Sequence, residues 1–149
     1  MKIAIASDHG GLSLKNKIKD YLQSSGYEIC DFGTDSTESC DYPDFALPAA
    51  EAVASEKCDK GIIVCTTGIG VSMVANKVPG VRCALCHDLY GAELTRRHND
   101  ANVLAMGENV VGDKLALEIV DLFLKTGFEG GRHQRRVDKI TAVERKYSK

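Results

Sequence analysis

The stretch Cys65-Thr66-Thr67-Gly68-Ile69-Gly70-Val71-Ser72 carries the most chemistry in this chain. Its glycines permit close approach of backbone to a ligand, and a helix opening after them would offer unpaired N–H groups to an anion. A cysteine at such a mouth is favoured as thiolate, which makes it a base or a nucleophile. A small buried cysteine ending a strand is the plainer alternative. The stretch is not a dinucleotide fingerprint, because Met73 stands where the third glycine belongs. It also lacks the Gly-Lys-Ser/Thr of a Walker loop.

Four further clusters are candidates. Asp8-His9-Gly10-Gly11 places a carboxylate and an imidazole beside two glycines, either as a polar site or as a capped turn. Asp41-Tyr42-Pro43-Asp44 reads as turn chemistry opening a helix, with Tyr42 free to wall a pocket. His98-Asn99-Asp100 is a reactive group or a helix C-terminus, where the dipole favours His. Gly130-Gly131-Arg132-His133-Gln134-Arg135-Arg136 holds two guanidinium groups four apart. Arg132 and Arg136 suit the oxygens of one phosphate or a solvated basic helix start.

The elements that would hold these clusters alternate along the chain. Apolar runs at 3–7, 27–32, 61–65, 82–86 and 103–106 read as strands. Amphipathic stretches at 12–22, 45–55, 70–77, 88–97 and 112–125 read as helices, followed by a glycine-rich loop over 127–134 and a last basic helix over 135–147. Strand–helix alternation predicts a parallel sheet. The expected fold is α/β: a Rossmann-like, doubly wound five-stranded sheet in three α/β/α layers with an extra C-terminal helix, one domain over 1–149. In such folds ligands bind beyond the carboxyl ends of the strands, where Ser7, Phe32, Cys65, Cys86 and Met106 end their runs.

Composition narrows the function. The 149 residues are 44% hydrophobic and 27% charged, ordinary for a globular domain. No apolar run approaches a membrane span. A net charge of −2 argues against nucleic acid as the main partner. The charge is divided, however. Residues 1–75 carry 11 acids and 6 bases, residues 76–149 carry 10 acids and 13 bases, and all seven Arg stand at or after position 82. Any guanidinium clamp must therefore come from the second half. The six Cys, without a secretory segment, read as reduced thiols in a cytoplasm. Cys83 and Cys86 have CxxC spacing, but within a strand they point to opposite faces and cannot chelate one metal.

Taken together and in order, Ser7 to Gly11, Asp41-Tyr42-Pro43, Gly61 to Cys65 with Thr67 to Gly70 and Ala75-Asn76-Lys77, His98 to Asn102, and Gly130 to Gln134 resemble the ribose-5-phosphate isomerase B family, within the group that includes galactose-6-phosphate isomerases. The resemblance spans essentially the whole chain. It implies metal-free and cofactor-free interconversion of ribose 5-phosphate and ribulose 5-phosphate through an enediolate. It also implies Cys65 as the base and His98 assisting ring opening near Asp8. Thr67 and the amides of Gly68, Ile69 and Gly70, with Thr66 and Ser72 beside them, would hold the enediolate oxygens. Asn99 and Tyr42 would line the sugar, and His9, Arg132 and Arg136 would take the phosphate. Two positions depart from the family pattern: Thr66 stands where Gly usually follows the cysteine, and Asn109 stands where an Arg is usual. Thr66 stiffens the loop; Asn109 weakens one phosphate contact.

Rival expectations are a six-carbon sugar-phosphate isomerase (allose or galactose 6-phosphate), a non-catalytic phosphate sensor and a thiol redox protein. The last needs a resolving cysteine on the same face. Topology adds an expectation about assembly. Cys65 and Asp8 end parallel strands, whereas His98, Asn99, Arg132 and Arg136 follow returning helices. A strand spans about 17–20 Å, so His98 belongs with another chain's Cys65. The chain is therefore expected to be a homodimer, or a tetramer built from it, with shared active sites.

Overall fold

The computed structural model describes all 149 residues. Five strands, β1 (Lys2–Ser7), β2 (Glu28–Asp31), β3 (Lys60–Cys65), β4 (Cys83–Leu85) and β5 (Val103–Gly107), form one parallel sheet in the order β2-β1-β3-β5-β4. The helices are α1 (Leu12–Ser24), α2 (Pro43–Ala54), α3 (Ile69–Ala75), α4 (Leu89–Asn99), α5 (Asp113–Lys125) and α6 (Arg132–Tyr147), with a 3₁₀ turn at His9–Gly11. This is the expected doubly wound sheet.

Strand alternation divides the core in two. Ile3, Ile5, Ile62, Val64, Leu104 and Met106 face α1 and α5, meeting Leu14, Ile18, Leu22, Ile119, Val120 and Phe123. Ala4, Ala6, Ile63, Val103 and Ala105 face α2 and α3. Small residues on this second face, opposite Ala46, Ala49 and Ala50, let the helix approach the sheet closely. Cys86 belongs to the first cluster and Cys83 packs against the second. The CxxC pair is thus split across the sheet, as strand geometry requires.

Most boundaries shift by one to three residues from expectation, and two of the shifts bear on the site. β4 is shorter than 82–86, as befits the edge strand it proves to be. The last helix begins at Arg132, not 135, so Arg132, His133 and Gln134 are its first turn and not a loop. Gly130 and Gly131, both at positive φ, make the sharp entry, and the His133 amide closes on the Gly130 carbonyl at 3.0 Å. Pro43 opens α2 where its missing N–H costs nothing.

The strand order reverses between β1 and β3. In open α/β sheets that reversal leaves a crevice outside the carboxyl ends. Asp8 and His9 flank it from β1, Cys65 from β3.

Candidate active site

Cys65 ends β3 with 5% of its surface exposed. The Gly68 amide donates to its Sγ at 3.1 Å, a contact that strengthens when sulfur carries charge. Gly68 reaches this position with φ 79°, and a Cβ there would stand 2.7 Å from the Met106 carbonyl carbon. Gly107 approaches equally closely: a Cβ would lie 2.5 Å from the Thr67 carbonyl carbon. The loop after β3 is therefore pressed onto the end of β5. The Glu108 amide donates to the Cys65 carbonyl at 2.9 Å and the Asn109 amide to the Thr66 carbonyl at 3.1 Å. The α3 that follows is only seven residues long. Anion stabilisation here rests on local amides more than on a long helix dipole.

The same edge gathers most of the expected residues. Asp8 caps the 3₁₀ turn, its Oδ1 accepting from the Gly11 amide at 3.1 Å. The capped-turn reading holds for that oxygen and leaves the other for a ligand. The exposed His9 accepts the Cys40 amide at Nδ1, 3.2 Å away, which leaves Nε2 for a ligand. A Cβ at Gly10 would meet Thr66 Oγ1 at 2.2 Å, which brings the β1 and β3 loops into contact. Tyr42 lies over Gly70, where a Cβ would be 2.6 Å from its ring. The Ile69 amide donates to Thr67 Oγ1 at 3.2 Å, and Ser72 Oγ donates back to the Ile69 carbonyl at 2.6 Å.

The other expected residues lie at the opposite edge. The Gly61 amide donates to the Asn102 carbonyl, which sets Asn102 level with the start of β3. Cys65 is four residues further along, about 13 Å at strand rise. His98 and Asn99 precede Asn102 at the end of α4. Arg82 Nε donates to the Asn99 carbonyl, ahead of β4. Glu129 donates its amide to the Arg97 carbonyl, bringing the start of α6 alongside. Arg132 and Arg136 therefore join His98 and Asn99, not Cys65.

Several contributors escaped the sequence. His87, just past β4, accepts the Gly107 amide at Nε2, 2.9 Å away, and so braces the strand end beside Cys65. Burial pushes its imidazole pKa below the usual value, opposed by Asp88. The acceptor role and the neutral form agree. Glu108 Oε1 accepts the Leu14 amide at 2.6 Å. Lys15, fully buried, donates to Asp31 at 2.9 Å and to the Thr34 carbonyl at 2.5 Å, anchoring the loop after β2 that carries Cys40 and Tyr42. Burial alone would raise the Asp31 carboxyl pKa, but the Gly33 amide, Lys15 and Lys19 hold it below the ordinary range. The only signal for this pair was a lysine among the buried positions of α1.

Residues 3–140 match the family described as Ribose/Galactose Isomerase. The chain belongs to this family. It is 50% identical over 145 residues to ribose-5-phosphate isomerase B of Escherichia coli, covering 97% of each chain. Ribose-5-phosphate isomerase B of Clostridium thermocellum superposes with a TM-score of 0.98 at 59% identity, over 99% of this chain and 100% of that one. The Mycoplasma genitalium ribose-5-phosphate isomerase B with bound ribulose-5-phosphate superposes with a TM-score of 0.93 at 46% identity, over 97% and 96%. The chain is accordingly a sugar-phosphate isomerase, and no helix in it is long and apolar enough to cross a membrane.

Proposed function

We propose that this isomerase interconverts ribose 5-phosphate and ribulose 5-phosphate, with Cys65 as the base. The observation that carries the reading is the buried Cys65 Sγ, which receives the Gly68 amide at the mouth of the switch-point crevice. Aldose–ketose isomerisation needs one group to take a proton from C2 and return it to C1, and donors for the oxygen that becomes negative meanwhile. Cys65 is the proton carrier. Thr67 and the first-turn amide of Gly70, which has no intrahelical partner, face the enediolate oxygens. His9 offers Nε2–H to the phosphate. The M. genitalium relative with ribulose-5-phosphate bound supports the five-carbon substrate.

His98 completes the site from a second chain, in a two-fold dimer. The separation of His98, Asn99, Arg132 and Arg136 from Cys65 supports this reading. So does the exposed apolar surface around the β4 edge, where Ile69, Met73, Leu85, Leu89 and Tyr90 are all more than one-third exposed. Arg132 and Arg136 then clamp the partner's phosphate, and His98 moves the proton that opens the furanose, a task suited to imidazole. Six free thiols fit a reducing cytoplasm.

The test is initial-rate isomerisation of ribose 5-phosphate, allose 6-phosphate and galactose 6-phosphate by wild type and Cys65→Ala. Ribose 5-phosphate should be turned over best, and the variant should lose about 10²–10⁴-fold. A variant within a few-fold of wild type refutes Cys65 as the base. Faster turnover of a six-carbon sugar refutes the substrate assignment.

A further inference from the structure

His133 is 5% exposed, and its Nε2 is buried with no hydrogen-bond partner. Buried polar atoms are seldom left so. Nε2 faces Glu129 Oε1 at 3.5 Å, and His98 Nε2 stands 3.9 Å from the same oxygen. All three ligand atoms lie within 4.8 Å of one another. The backbones are already tied together, since the Glu129 amide donates to the Arg97 carbonyl and His133 sits in the first turn of α6.

We propose that His98, Glu129 and His133 form a binding site for a divalent transition-metal ion such as Zn²⁺. Zinc holds nitrogen at about 2.0–2.1 Å and carboxylate oxygen at about 2.0–2.2 Å, so neighbouring ligands in a tetrahedral site stand about 3.4 Å apart. Two edges, 3.5 and 3.9 Å, fall close to that value, and the third stays within 4.8 Å. Two imidazoles and one carboxylate leave a fourth position for water.

Chemistry and mobility agree with the donor set. Neutral imidazole is the metal-binding form. Arg97 occupies Glu129 Oε2 at 3.4 Å and leaves Oε1 for the ion. The rings of His98 and His133 are stacked, 4.1 Å between centroids and 9° between planes, so their lone pairs lie in separate, nearly parallel planes. One ring must turn for both to converge. His133 is held by its burial, so the ring that turns is His98, with 35% of its side chain exposed at the end of α4. Binding would then take His98 Nε2 out of ring opening and inhibit the isomerase reversibly. That consequence, unlike the binding itself, rests on the role given to His98 above.

Co²⁺ titration of the purified full chain, followed by visible absorption and calorimetry without substrate, reads the site directly. One Co²⁺ per chain should bind with nitrogen and oxygen ligation and no thiolate charge-transfer band. His133→Ala and Glu129→Gln should each weaken it, the former by more than about 100-fold, since even supporting residues around a metal typically cost 10–100-fold. Glu129→Gln removes only a surface carboxylate and keeps the test valid if His133→Ala misfolds. Undiminished affinity in Glu129→Gln, or a thiolate band in wild type that Cys65→Ala abolishes, overturns the site. Zn²⁺ inhibition reversed by chelation supports the whole proposal. Binding without inhibition supports the site and counts against His98 as a catalytic residue, so the two failures are distinguishable.

Discussion

Mixing two inactive variants gives a quantitative test of a shared active site. Cys65→Ala and His98→Ala should each be nearly inactive, by about 10²–10⁴-fold for loss of a proton-transfer group. Within one chain the two residues lie at opposite edges of the sheet. The Gly61 amide donates to the Asn102 carbonyl at the amino end, and Cys65 is four strand residues beyond. In a two-fold dimer each site would take Cys65 from one chain and His98 from the other. A mixed dimer then has one site with both residues intact and one with neither. Random exchange at equal concentrations makes about half the dimers mixed, and each carries half the wild-type sites. Recovered activity should be about one quarter of wild type by this two-fold symmetry. The assay is ribose 5-phosphate turnover after mild dissociation and reassociation, with native mass spectrometry counting the mixed dimers. Mixed dimers present at about half, with activity no higher than the parents, would refute the shared site and return His98 to its own chain.

Arg136→Ala should raise KM for the sugar phosphate with a smaller effect on kcat, because a remote clamp is partly used at the reacting centre; steady-state kinetics with unchanged kcat/KM would make Arg136 a solvated helix residue. Gly68→Ala should destabilise by about 1–3 kcal/mol, since φ 79° is strained for a Cβ that also meets the Met106 carbonyl carbon at 2.7 Å; urea denaturation checks this, and an unchanged midpoint would disprove the close approach. The His87 pKa is depressed on folding. The unfolded chain then binds the extra proton first, so this contribution is present above the unfolded pKa, about 6.5, and is lost as pH falls through the folded one. Stability measured at about pH 7.5 and 5.5 should drop on acidification, and His87→Gln, which keeps an acceptor for Gly107, should reduce the drop; an equal drop in the variant rules His87 out as the source.

The order of elements, the two-faced core and the loops at the carboxyl ends of the strands follow from sequence alone, because they depend on local periodicity. Alternating Ile and Ala in β1 divide between the two layers as a period of two requires. Gly68, at φ 79°, turns the loop after β3 toward the Cys65 sulfur through its own backbone freedom. α6 starts three residues ahead of the expected 135: Gly130 and Gly131 read as a loop in sequence, whereas their positive φ values turn the chain directly into a helix at Arg132. The amide on Cys65, the brace from His87 to Gly107 and the burial of Lys15 against Asp31 join residues 3, 20 and 16 positions apart. The last two depend on which strands and helices become neighbours, and no periodicity carries that information. The grouping of His98 with Glu129 and His133 is of the same kind: 31 residues separate Glu129 from His98, and only the packing of α6 against α4 sets an orphaned imidazole nitrogen beside a carboxylate.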